Sequence, residues 1–154
     1  MQRRRLVSIV LALAGLIAVL VGVRQGLVHV APSYEGTIMT GWDGPLNHEE
    51  QLLTRLAILG VVGSVAALRW RRLAVVPAAV GGVVLFYALR AVLHYALDPG
   101  LYVEVSTYAG PSRFVLGAEP VLLVAGGALL VAAGVVRWRA NTDDESPDTR
   151  VSTA

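Results

Sequence analysis

The chain has 154 residues, 55% of them hydrophobic, no cysteine and a formal net charge of +2. Its apolar content exceeds the ~45–50% of an ordinary soluble domain and lies in blocks, which argues against a soluble globular fold. Without cysteine there are no disulfides, thiolate metal ligands or thiol nucleophiles. All thirteen basic residues are arginine. They flank the apolar blocks, a placement that suits membrane boundaries rather than nucleic acid.

Arg3, Arg4 and Arg5 precede an uncharged run from Leu6 to Val23. That run is longer than the ~7–15 apolar residues of a signal peptide, and no A-x-A cleavage site follows, so it reads as an uncleaved membrane helix. The expected helix spans about 6–30, with Arg24 snorkelling to the interface. Ala14, Ala18, Gly22 and Gly26 form a small-residue row suited to close helix approach. Residues 31–47 make a first outer loop, in which 37–40 reads as a short strand.

Asn47 followed by Glu50 is a capping-box signature, predicting a second helix over 48–68 with Glu49 and Glu50 in its first turn. Gly60, Gly63, Ser64 and Ala67 offer it a packing face. Arg69, Trp70, Arg71 and Arg72 then break the apolar pattern. Moving an arginine to the bilayer centre costs about 2.5–3.5 kcal/mol, so this turn belongs at a membrane surface. The third helix is expected over 73–95, with Ala74, Ala78 and Gly82 as its small-residue row. Residues 96–119 form a second outer loop. Strand-forming residues from Tyr102 to Tyr108, a turn at Gly110-Pro111-Ser112 and residues 113–116 predict a β-hairpin, which must pack on the helix ends or add residues 37–40, because an isolated hairpin is marginal. Glu119-Pro120 opens a fourth helix over 120–138, where Ala128 and Ala132 make a small pair. Residues 140–154 read as a disordered, acidic cytoplasmic tail.

The fold class expected is an all-α membrane protein: a four-transmembrane-helix bundle with a small extracytoplasmic β-hairpin element. Nine arginines fall on one side of that arrangement and four, Arg24, Arg55, Arg90 and Arg113, on the other. The positive-inside rule then puts both termini in the cytoplasm of a multi-pass cell-membrane protein. The two helical hairpins share an order of charged landmarks, including Arg-Trp-Arg at each exit. A parallel duplication with an axis along the membrane normal would give this order.

Arg24, Arg55, Arg90, Glu50, Glu119 and His94 lie at similar depth near the outer helix ends and form the candidate ligand-binding set. Arranged around a pocket they suit an anion, a carboxylate or a quinone-like headgroup. Arranged around the rim they are an interfacial ion-pair belt. His29, His48 and His94 with the nearby glutamates match no metal-binding spacing, so neither a metal nor another cofactor is expected. The glycine pairs Gly81-Gly82 and Gly126-Gly127 sit inside apolar helices and serve packing rather than phosphate binding. Ser8 and Ser64 have no paired base for nucleophilic chemistry. The leading expectation is therefore a non-enzymatic accessory subunit or membrane scaffold. Its partners would be the lipid bilayer and a protein or second copy met through small-residue helix faces, with no nucleic acid. The alternatives are an oligomeric transporter or channel for a small anionic solute, and a membrane enzyme or redox partner with a site at the outer interface.

Overall fold

A computed structural model describes residues 2–31, 44–97, 105–107, 110–112 and 114–143. Within them the chain forms helices α1 (Gln2–Gln25), α2 (His48–Ala66), α3 (Val75–Leu97) and α4 (Glu119–Asp143). A 3-10 turn, Arg71–Ala74, leads into α3, and four short strands follow the helix ends: β1 (Val28–Val30), β2 (Val105–Thr107), β3 (Gly110–Ser112) and β4 (Phe114–Leu116). Three helical segments are long and apolar enough to cross a membrane: Arg3–Gln25, Arg71–Leu97 and Glu119–Ala140. α2 is not among them. It carries Glu49, Glu50 and Arg55 near its start, and only thirteen uncharged residues, Leu56 to Leu68, follow Arg55.

Successive helices run antiparallel. Near one end of the bundle the Ser8 hydroxyl on α1 donates to the Ala133 carbonyl on α4 at 2.9 Å. Near the other end Gly22 of α1 lies against Leu122 and the Glu119 carbonyl. α4 is the central element, packed on both α1 and α3. Its adjacent glycines face opposite neighbours: a methyl group at Gly126 would lie 2.9 Å from the Gly15 carbonyl oxygen on α1, and one at Gly127 2.9 Å from that of Gly81 on α3. Such backbone-to-backbone approach is available only where side chains are absent. Gly60 and Gly63 of α2 instead meet side chains, Leu130, Val80 and Val76. Leu53, Ala57, Val80, Val84 and Leu130 fill the centre of the bundle.

The small-residue rows are rotated from those expected. On α1 the buried row is Ser8, Ala12, Gly15, Val19 and Gly22, while Ala14 and Ala18 are only half-buried. On α3, Gly81 is buried and Gly82 faces open space. On α4, Ala128 is exposed.

Several boundaries also differ. The first helix stops at Gln25 rather than 30. Gly26 has φ 78°, the left-handed conformation that ends helices, and the β-formers Val28 and Val30 are free to extend. They pair antiparallel with β4, in the register Val28 to Leu116 and Val30 to Phe114. The expected hairpin is therefore redistributed. β2 pairs with β3, so Gly110-Pro111-Ser112 is a strand rather than a turn, and residues 114–116 return to the end of the first helix. The fourth helix continues past Trp138 to Asp143, taking in the start of the expected tail. The strand expected at 37–40, Arg113 and the rest of the tail lie outside the described residues.

Candidate functional site

The site is built from the capped start of α2 and the last turns of α3. Asn47 closes a full capping box: its side-chain oxygen accepts from the Glu50 amide at 2.9 Å, and the Glu50 carboxylate accepts from the Asn47 amide at 2.7 Å. The Gln51 side chain adds a bond to the Leu46 carbonyl at 2.8 Å. Together these hold the entry to α2 and orient its first turn. Glu50 is thus committed to the backbone, and Glu49, one residue earlier, is the acid that reaches the cavity.

That cavity, of about 150 Å³, is lined by Leu27, Glu49, Tyr87, Arg90, Ala91 and His94. The guanidinium of Arg90 lies 5.8 Å from the centre of the Tyr87 ring, one helical turn earlier, within the range of a cation–π contact. Arg90 and His94 are exposed rather than buried, so neither is an intramembrane charge held deep in the fold. The cavity joins a cation, an acid, an imidazole and a phenol ring, a set able to hold a small polar or zwitterionic group by charge and hydrogen bonds.

The other expected site residues scatter. Glu119 is 9% exposed at the start of α4 and does not line the cavity. Arg24 is half-buried on the last turn of α1, and Arg55 is exposed on α2. The structure thus brings together Arg90 and His94, adds Glu49, and leaves Arg24, Arg55, Glu50 and Glu119 outside. The histidines are separate too: His29 is on β1, its ring against Gly117, where a methyl group would lie 2.6 Å from it. No cluster of three or more His, Cys, Asp or Glu side chains able to hold a metal ion occurs among the described residues.

Two polar residues outside the candidate set lie at the opposite, arginine-rich end. Arg137 is only 2% exposed, and its guanidinium donates to the Ala67 carbonyl at 2.7 Å. Ala67 is the C-cap of α2, so a cation meets the negative end of that helix, where it is favoured. Ser8 tethers α1 to α4 close by. The signal for Arg137 was present: it lies seven residues after Leu130, on the same buried face of α4.

No protein-family model, curated protein or solved structure matches this chain.

Proposed function

We propose that this chain is an integral membrane protein that crosses the bilayer four times, with both termini in the cytoplasm, and acts without catalysis as an accessory or scaffold subunit. One observation supports the membrane reading above others. Leucine and valine share the buried core with glycine, alanine and serine, yet many large apolar side chains turn outwards. Ile17 is 60% exposed, Leu59 49%, Phe86 65% and Val124 45%. Apolar exposure on this scale suits a hydrocarbon solvent, in which close packing joins helices. In this reading α2 is the fourth span. Gly60, Gly63 and Ser64 bury it in the bundle, Glu49 and Glu50 lie in the headgroups, and Arg55 snorkels to them.

The scaffold reading rests on the filled centre of the bundle, where Leu130, Val84 and Val80 occupy the axis that a channel within one copy would need. The small-residue faces are largely used within the chain. α1 and α3 also expose apolar rows, and the row Ile58, Leu59, Val62 and Val65 on α2 is the one proposed to meet a partner.

The absence of cysteine makes the topology directly testable. Single cysteines at Leu97 and Arg72 are treated on intact cells with an impermeant maleimide. Leu97→Cys reacts and Arg72→Cys does not; the reverse pattern inverts the orientation. A photo-crosslinker at Val62 then yields a defined adduct with a partner. A chain that stays monomeric and uncrosslinked, yet acts on a small molecule, overturns the scaffold reading.

The cavity at Arg90 favours a second reading, recognition of a small anionic or zwitterionic solute at the outer surface. Replacing Arg90 by alanine would abolish such binding; saturable binding unchanged by that replacement would remove the reading.

A further inference from the structure

A second cavity opens between α3 and α4 at the arginine-rich end, with a volume of about 290 Å³. Its walls include Ala74, Ala78, Gly134 and Val135, and Trp138 and Arg139 complete it. The groove persists because alanine and glycine carry nothing long enough to fill it. At its deepest point the helices touch directly: a methyl group on Gly134 would lie 2.6 Å from the Ala78 β-carbon.

The charged residue lining the groove is Arg139, with Asp143 one turn further along α4. Trp138 and Arg139 are exposed. The 3-10 turn Arg71–Ala74 packs against α4, so the exposed Arg72 belongs to the same end, and Arg69 lies just before that turn, also exposed. An apolar slot open to the bundle's side and ending in guanidinium groups and an indole is complementary to an amphiphile with a hydrocarbon chain and an anionic head.

We infer that this groove is a binding site for an anionic phospholipid of the adjacent leaflet. One acyl chain lies along Ala74, Ala78, Gly134 and Val135. Its phosphate meets Arg139, with Arg72 and Arg69 adding to the positive field, and the Trp138 indole lies at the glycerol level, where tryptophan prefers to sit. A neutral lipid fills the slot equally well but gains nothing from the net charge. The site rests on the membrane reading given above. It is separate from the cavity at Arg90, which lies at the other end of the bundle.

Trp138 is a built-in reporter. The full chain carrying Trp42→Phe and Trp70→Phe retains it as the sole tryptophan, since the sequence has three. This protein is reconstituted in vesicles containing equal amounts of phosphatidylglycerol and phosphatidylcholine, with the acyl chains of one or the other brominated. Brominated phosphatidylglycerol is expected to quench Trp138 more than brominated phosphatidylcholine. Arg139→Gln reduces that preference by about fivefold, the share of one arginine near an anionic surface. Val135→Phe, which fills the slot from an exposed position, reduces quenching by both lipids. Equal quenching by the two lipids, or a preference that survives Arg139→Gln, overturns the site but leaves the membrane reading intact. Quenching by neither removes both. Native mass spectrometry of the unaltered chain from the same lipid mixture gives an independent measure: retained phosphatidylglycerol adducts in excess of phosphatidylcholine support the site, and equal retention overturns it.

Discussion

Adjacent glycines on α3 should respond to the same substitution with opposite signs. Gly81 faces α4, where an added methyl group would lie 2.5 Å from the Gly127 carbonyl oxygen and 2.7 Å from the Val131 amide nitrogen. Both are backbone atoms, so no rotamer change relieves the contact. Ordinary contact distances require α3 and α4 to separate by about 1 Å, loosening the Gly127, Leu85 and Val131 contacts around them. Overpacking of this kind costs about 1–3 kcal/mol. Helix propensity returns up to about 1 kcal/mol of that for Gly→Ala, leaving Gly81→Ala destabilised by up to roughly 2 kcal/mol. Gly82 meets nothing within 4 Å, so Gly82→Ala keeps only the propensity gain and is neutral or more stable by up to about 1 kcal/mol. Unfolding of the two variants in mixed detergent micelles, followed by circular dichroism, measures the difference. If Gly81→Ala unfolds above the wild type, or is as stable as Gly82→Ala, the close α3–α4 contact is wrong.

Arg137→Ala removes the bond to the Ala67 carbonyl and empties a buried site, and should cost roughly 2–5 kcal/mol in the same unfolding assay. Arg139→Ala, at an exposed position two residues on, should leave the unfolding midpoint unchanged. Ser8→Ala should cost about 0.5–1.5 kcal/mol through its lost bond to Ala133. Asn47→Ala should cost about 1 kcal/mol, read as faster hydrogen exchange at the Glu50 and Gln51 amides. Glu50→Gln, which keeps an acceptor for the Asn47 amide, should leave that exchange unchanged; acceleration equal to that of Asn47→Ala would mean that Glu50 acts through its charge.

The elements that were legible in the sequence are those set by local chemistry. Asn47 and Glu50 announced the start of α2 because a capping box needs only four consecutive residues. The arginine turn announced the end of the same hairpin because charge and hydropathy change together there. Helix faces were less legible. A row drawn strictly every fourth residue drifts around a helix of 3.6 residues per turn by about 40° per step, so the row Ala74, Ala78, Gly82 leaves the interface where Gly81 stays in it. Mixed steps of three and four follow the buried face, as Leu123, Gly126, Leu130, Ala133 and Arg137 do on α4. Continued through Arg137, that rule places a cation in the interior, but charge alone had assigned it to the boundary. The pairing of β1 with β4 was illegible for a different reason. It joins segments far apart in sequence, and nothing within Val28-His29-Val30 distinguishes a strand from a last helical turn except the glycine before it.

The packing also bears on the resemblance between the two hairpins. An axis relating α1 to α3 and α2 to α4 would make the α1–α4 contact equivalent to the α2–α3 contact. They differ in kind. α1 meets α4 through reciprocal backbone contacts at Gly15 and Gly126, whereas α2 meets α3 through Gly60 and Gly63 against valine side chains. The packing of the two hairpins is thus not symmetric, although their charged landmarks fall in the same order. Glycine joins α4 to α1 and α3, whereas Gly60 and Gly63 of α2 meet side chains and its C-cap accepts the Arg137 bond. Side-chain contacts can adjust by changing rotamer, whereas carbonyl-to-glycine contacts cannot. α2 carries both Glu49 at the cavity and the exposed apolar row at Leu59 and Val62.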